Sequence, residues 1–155
     1  WLYDSSMMSR ILAVGLRSLA VLPGYASQRE TPKTPADLED WDWVRYRNRS
    51  DTTVFTGPDG TEEKVTGQAQ IEVDSIDALN ELACQDMGVT ILPSHLAERG
   101  IEDGRLVPLL PEWQLRELGI FAVWPDKSRR ESLTLLFVRF LAEKGLCEEV
   151  SGTGP

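Results

Sequence analysis

Gln70–Ser94, QIEVDSIDALNELACQDMGVTILPS, is the stretch from which the rest of the chain can be read. Ile71 and Val73 flank Glu72 in the period-2 alternation of a half-buried strand. Asp74 and Ser75 then stop the strand and can cap a helix, with Asp77 at the acidic position of a capping box. Ile76, Leu79, Ala83 and Met87 recur at spacings of three and four, so one helical face is apolar. Gly88 stands where a left-handed helix stop falls, and Val89–Leu92 is a short β-branched run closed by Pro93. Two strands joined by a helix are normally parallel with a right-handed crossover. Asp74–Ser75 and Pro93–Ser94 therefore come to one edge, where open α/β sheets bind their ligands. The stretch predicts a small-molecule pocket lined by Asp74, Ser75, Pro93, Ser94 and, from the adjoining loop, His95.

Upstream, Leu19–Leu22 reads as a strand broken by Pro23–Gly24, which are expected at the same ligand edge and join the candidates. A short helix follows over Tyr25–Arg29. Thr34, Pro35 and Asp37 form a strong helix start, as cap, first position and reach-back acid. Trp41–Tyr46 is an aromatic, β-rich run. Thr53–Thr56 and Glu62–Thr66 flank Gly57-Pro58-Asp59-Gly60, which predicts a hairpin at the edge of the sheet. Asp4-Ser5-Ser6 is turn-like, and Met7–Leu16 is mixed apolar without a clear period.

Downstream, His95–Arg99 makes a short helix ended by Gly100, Asp103–Gly104 a turn, and Arg105–Leu110 an extended segment broken by Pro111. Ile120–Trp124 is a fully apolar strand, which wants cover on both faces. Glu131–Lys144 is an amphipathic helix presenting Leu133, Leu136, Phe137, Phe140 and Leu141, with Gly145 as its stop. Val150–Pro155, rich in Ser, Gly, Thr and Pro, is expected to fray, within a flexible tail over residues 146–155. Ile120–Trp124 has no obvious strand partner in this chain, as if it belonged to a second sheet.

At 155 residues and 41% hydrophobic, the chain has enough apolar content for a real core. A net charge of −9 repels phosphate backbones and acidic lipids, so this chain is not expected to grip nucleic acid or membrane by itself. Cys84 and Cys147 lie on apolar-periodic segments in no metal or redox pattern and read as buried thiols in a reducing, cytoplasmic setting. One histidine and no cysteine cluster exclude an ordinary zinc site, and no metal or other cofactor is expected. Met8–Ser27 imitates a signal peptide, but Arg17 interrupts its apolar core and seven residues precede Met8. No run approaches the ~20 apolar residues of a membrane helix. The chain starts at Trp1 in mid-pattern and reads as a segment of a longer protein.

Each candidate has a plainer alternative. Asp74 and Ser75 cap a helix whether or not they touch a ligand. Ser94 and His95 suggest a hydrolase pair, yet no G-x-S-x-G elbow is present and adjacent residues leaving a strand rarely face one another. Trp41, Trp43 and Tyr46 could stack bases, but hydrophobic packing under arginine cover suits an acidic chain better. Arg45, Arg47 and Arg49 read as a solvated strand face, with an anion site as the alternative.

The ordered set Asp4-Ser5-Ser6, Leu22-Pro23-Gly24-Tyr25-Ala26, Thr31–Leu38, Asp59-Gly60, Val73-Asp74-Ser75, Met87–Pro93, Gly104–Val107 and Phe137–Leu141 resembles the effector-binding domain of LysR-type transcriptional regulators. The resemblance spans about residues 4–144. It implies an α/β, periplasmic-binding-protein-like type II fold: two Rossmann-like subdomains with the effector between them, the first incomplete in this chain. On that template residues 1–17 end the first subdomain and cross the hinge, 18–100 form the second, and 101–145 return to the first. It further implies no enzymatic activity, a small-molecule effector, DNA contact only through a winged helix-turn-helix outside this chain, and a homodimer or tetramer at full length. The family often has Asn where this chain has Asp74, whose carboxylate at a helix N-terminus would compete with an anionic effector. A solute-binding module of a transport system and an α/β hydrolase-like enzyme are the rival expectations.

Overall fold

The structure, a computed structural model, describes residues 7–47, 49–125 and 133–144. Asp4–Ser6, Asn48, Glu131, Gly145, Cys147 and the tail lie outside the described residues. In chain order the elements are β1 (Met7–Gly15), β2 (Arg17–Val21), α1 (Pro23–Ser27), a 3-10 turn (Pro35–Leu38), β3 (Trp43–Tyr46), β4 (Thr52–Thr56) and β5 (Glu62–Thr66). They continue with β6 (Ala69–Val73), α2 (Ile76–Ala83), β7 (Thr90–Pro93), α3 (Ser94–Glu102), β8 (Val107–Pro108), β9 (Gln114–Leu115), β10 (Leu118–Pro125) and α4 (Leu133–Glu143).

The chain divides into two compact units. The larger is Leu16–Arg116; the other takes the residues on either side and contains β1, β10 and α4. β8 pairs with β2 and β9 with β4, which keeps the chain in the larger unit to Arg116.

The strand–helix–strand reading of Gln70–Ser94 matches the strand pairing in the larger unit. β6 runs parallel to β3, and Val89, just before β7, bridges Trp43 in parallel, with Val44 N–H donating to Val89 O at 3.0 Å and Val89 N–H to Asp42 O at 2.9 Å. The two predicted strands are thus not neighbours; β3 lies between them. β2 then pairs antiparallel with β7, Arg17 opposite Pro93 and Ala20 opposite Thr90, and β8 closes the far side. Leu79 and Ala83 of α2 and Ala97 of α3 pack with Val44, Ala20, Leu92 and Leu106 into one core cluster. Trp41, Trp43, Leu38, Phe55, Val65 and Tyr25 build a second.

Several local expectations are corrected. The unpatterned Met7–Leu16 segment holds a nine-residue strand, β1. The helix at Thr34 is a single 3-10 turn, although Asp37 does reach back, accepting from Thr34 N–H at 2.9 Å and Lys33 N–H at 2.8 Å. The hairpin β4–β5 forms where its turn predicts, but joins β9 in a separate three-stranded sheet rather than the edge of the main one. α2 ends at Ala83, before Met87, and the turn that follows uses left-handed backbone at Asp86 and Gly88. Gly100 does not end α3; it lies buried within it, where an added Cβ would meet Leu106 Cδ1 at 2.5 Å.

In the smaller unit β10 pairs antiparallel with β1, and among the described residues it has no second strand partner. The fully apolar β10 is not covered: Ile120, Phe121 and Val123 are 46%, 56% and 40% exposed. α4 likewise leaves Leu133, Leu136, Phe137 and Phe140 exposed and buries Val138. The apolar stripe was legible in the residues, but within the described residues nothing covers it.

Candidate functional site

The strand directions put several chain segments at one edge of the main sheet. β3, β6 and β7 all end there, so the edge carries Arg47 and Arg49, then Asp74–Ser75, then Pro93–Ser94–His95. Because β2 is antiparallel to β7, its start rather than its end lies beside Pro93. Arg17 and Ser18 are therefore at this edge and Pro23–Gly24 at the opposite one. The expectation that Pro23 and Gly24 share the edge of Pro93 is overturned, because it took β2 and β7 as parallel. Pro23 instead starts α1, and Tyr25 two residues on donates to Asp42 Oδ2 at 2.7 Å.

Ser94, buried at the first position of α3, sits 2.8 Å from Ser18 Oγ through its own hydroxyl, and its N–H donates to Leu16 O at 3.0 Å. The β2 and β7 backbones hold this pair in register, Ser18 lying opposite Leu92. His95, next along, is exposed. Ser94 is thus engaged by Ser18, and among the described residues no hydrogen bond joins it to His95, which gives a Ser–His catalytic pair no geometric support.

Ser75 caps α2, accepting from Ala78 N–H at 3.3 Å; the cap is Ser75, not Asp74 with Asp77. Asp74 is exposed and lies 3.9 Å from Arg47 Nη1. α3 differs: its N-cap is Pro93, and no side chain caps it.

Arginines dominate the remaining surface of the edge. Arg17, half-buried, donates from Nε to Arg116 O at 2.9 Å and from Nη2 to the same oxygen. Burial, then the charges of Arg49 and Arg116, push the Arg17 pKa down to about 10. Ion pairs form at Arg29–Asp42, Arg45–Asp51, Arg47–Asp74 and Arg105–Asp103. Arg17, Arg49 and Arg116 take part in none of them. In the sequence Arg17 reads only as an interruption of an apolar run and Arg49 as part of a solvated face with an anion site as the alternative, while Arg116 and Ser18 carry no signal. Their convergence follows from strand order, Arg17 and Arg116 being 99 positions apart, and no local spacing signals it. Arg45 is a further correction: it is buried, with bonds to Asp51 Oδ1 at 2.5 Å and Gly67 O at 2.8 Å.

The aromatic run is packing. Trp41 and Trp43 are buried, Arg29 covers the Tyr25 ring at 3.7 Å, and Arg45 stands 5.8 Å from the Trp43 ring centre. An open groove of about 660 Å³ runs beside it, lined by Arg29, Lys33, Asp37, Asp40 and Trp41 among others. It lies away from the edge just described. Cys84 is half-buried rather than sealed, and burial raises its thiol pKa. Among the described residues no group of three or more His, Cys, Asp and Glu is placed to hold a metal, and no helix is long and apolar enough to cross a membrane.

An α/β unit with helix N-termini and strand ends gathered at one edge defines a small-molecule-binding architecture. The chain belongs to the LysR substrate-binding domain family, whose model matches residues 4–145. The fold is accordingly the periplasmic-binding-protein-like type II α/β fold. The family is one of transcriptional regulators, not enzymes, which removes the hydrolase alternative. An uncharacterized HTH-type transcriptional regulator of Haemophilus influenzae is 28% identical over 128 residues, 82% of this chain and 44% of that protein. The HTH-type transcriptional regulator PtxR of Pseudomonas aeruginosa is 29% identical over 145 residues, 92% of this chain and 46% of that protein. The chain spans about half the length of these curated relatives. Among solved structures, the Vibrio cholerae virulence activator AphB at full length superposes with TM-score 0.74 at 19% identity, over 92% of this chain and 49% of AphB. The CrgA regulatory domain of Neisseria meningitidis gives 0.68 at 22%, over 93% of this chain and 71% of that domain. At these identities the structural likeness speaks for the fold.

Proposed function

We propose that this chain is the effector-sensing part of a LysR-type transcriptional regulator, with Arg17, Ser18, Ser75, Pro93, Ser94 and His95 forming one wall of the effector site. The observation that supports this most is the convergence of three parallel strand ends, the start of β2 and the N-termini of α2 and α3 at one edge. Pro23 and Gly24, at the other edge, are left out of the wall. Asp74 belongs to its rim, held near Arg47. Effector binding biases the population of conformations and so the placement of a DNA-binding module outside this chain. The full-length protein acts as a homodimer or tetramer in the cytoplasm, contacting DNA only through that module.

The test is a metabolite library added to the full-length protein, read by melting temperature and by operator binding. At least one compound should shift both. A library that moves neither overturns the proposal. A solute-binding role in transport predicts instead a secretion signal on the full-length protein and no operator binding at all.

A further inference from the structure

The edge is cationic in a chain of net charge −9. Arg17 opens β2, Arg49 follows β3, which ends at this edge, and Arg116 follows β9 with its carbonyl bonded by Arg17, so three separate segments each bring an arginine here. None of them has a carboxylate within 4.0 Å among the described residues, whereas Arg47 alongside is matched to Asp74. An acidic chain has carboxylates to spare, yet clusters like charges here and half-buries one of them, which raises their mutual cost. Burial and the two neighbouring arginines lower the Arg17 pKa to about 10, as expected of a cation lacking a counter-charge.

A second observation is independent of the arginines. α3, nine residues long, begins at this edge with Pro93 as its N-cap and no capping side chain, while α2 beside it is closed by Ser75. The first-turn N–H groups of α3 carry the positive end of the helix dipole. Ser94 and Ser18 hold a hydroxyl pair beside them, in which either oxygen can be the donor.

We infer that this edge binds a small dianion, either a dicarboxylate or a phosphomonoester, through Arg17, Arg49 and Arg116 and the uncapped N-terminus of α3. The inference rests on the effector-sensing role proposed above and adds the charge of the ligand. A monoanion leaves two of the three guanidinium charges unmatched; a dianion leaves one, which the forked geometry of arginine can share between two oxyanion groups. A nucleic-acid strand is disfavoured, because its charge extends past one Debye length, about 8 Å at physiological salt, into the acidic remainder of the chain.

The experiment titrates the full-length protein with inorganic phosphate, phenyl phosphate, succinate, acetate and glucose by calorimetry. Succinate or the two phosphates should bind at least about tenfold more tightly than acetate, and glucose should not bind. Whichever of succinate and the phosphates leads identifies the dianion chemistry. Arg49→Gln and Arg116→Gln should each weaken that binding by about tenfold or more, the worth of one charge-assisted hydrogen bond, with melting temperature unchanged. Arg17→Lys, which keeps the charge but loses the fork, should weaken it as well and guards against an unfolded Arg17→Gln. Dianions binding no better than acetate, or Arg49→Gln and Arg116→Gln binding as tightly as the parent, overturn the inference. If a neutral or cationic library compound shifts melting and operator binding while dianions fail, the effector-sensing role stands and the dianion alone falls. If nothing binds, both fall.

Discussion

The hydroxyls of Ser18 and Ser94 lie 2.8 Å apart although 76 positions separate them in the chain. They tie the start of β2 to the start of α3, at the edge where the strands end. Ser18→Ala and Ser94→Ala should each destabilise the chain by about 1 kcal/mol, and the double variant by less than the sum, with a coupling of about 0.5–1.5 kcal/mol. Urea unfolding of the four proteins measures it; strict additivity would show that the two hydroxyls do not interact.

Gly88 has a φ of +122°, and an added Cβ would lie 2.3 Å from Asp42 O. That oxygen accepts from Val89 N–H, one of the bonds joining β3 to the β7 segment. Gly88→Ala should cost about 1–3 kcal/mol from the backbone alone, and more from the displaced carbonyl. A thermal midpoint equal to the parent's would contradict this placement of β3.

Arg45 reaches both the carboxylate of Asp51, whose side chain is 72% exposed, and the buried carbonyl of Gly67. The carbonyl is the costlier of the two to strand. Arg45→Gln should lose about 1–3 kcal/mol, whereas Asp51→Asn should lose less than about 1 kcal/mol, as for other exposed pairs. Equal losses in chemical denaturation would mean that the ion pair carries the contact.

Much of the architecture was legible because it depends on local signals. The caps at Ser75 and Asp37, the turn at Gly57–Gly60 and the apolar spacing of α2 each act within a few residues. What was missed depends on partners. Periodicity marks β2 as a strand but says nothing of its direction relative to β7, and that direction moves Pro23–Gly24 to the far edge and brings Arg17 in. Arg45 alternates like a solvated residue, yet the Gly67 carbonyl across the sheet makes its buried position affordable in hydrogen bonds. The site candidates at Asp74–Ser75 and Pro93–His95 follow from one crossover rule; Arg49 is legible as one of three arginines that could hold an anion, but its approach to Arg17, like that of Arg116, comes from loops whose course no pattern encodes.

Asp37 accepts hydrogen bonds from the N–H groups of Thr34 and Lys33, and these hold its carboxyl below the ordinary 3.8. A depressed carboxyl contributes stability that is present above its unfolded pKa and is lost as pH falls through the lower, folded one. The parent should therefore lose its advantage over Asp37→Asn only in strongly acid solution, below pH 3.8. Melting curves for both proteins across that range test it; a gap that persists undiminished at the acid end would assign the effect to something other than this ionisation.

The exposed Ile120, Phe121, Leu136, Phe137 and Phe140 of the smaller unit form apolar surface of a kind that monomeric proteins seldom leave open. The 155-residue chain expressed alone should bind the dye ANS strongly, and Phe121→Ser with Phe137→Ser should reduce the signal without changing the far-UV spectrum. Weak dye binding by the parent chain would mean that these faces are covered in solution.

The Arg17 contact with Arg116 has a further consequence. The chain enters the larger unit at Leu16 and leaves it at Arg116, so this one side chain fastens entrance to exit. A guanidinium has five N–H donors in a fixed fork, and an oxyanion that recruits the Nε and Nη2 pair does so in competition with the Arg116 carbonyl. Occupancy would then be traded against a clasp at the doorway through which the backbone passes twice, so that a ligand no larger than a few atoms could loosen or tighten the threshold of the whole unit.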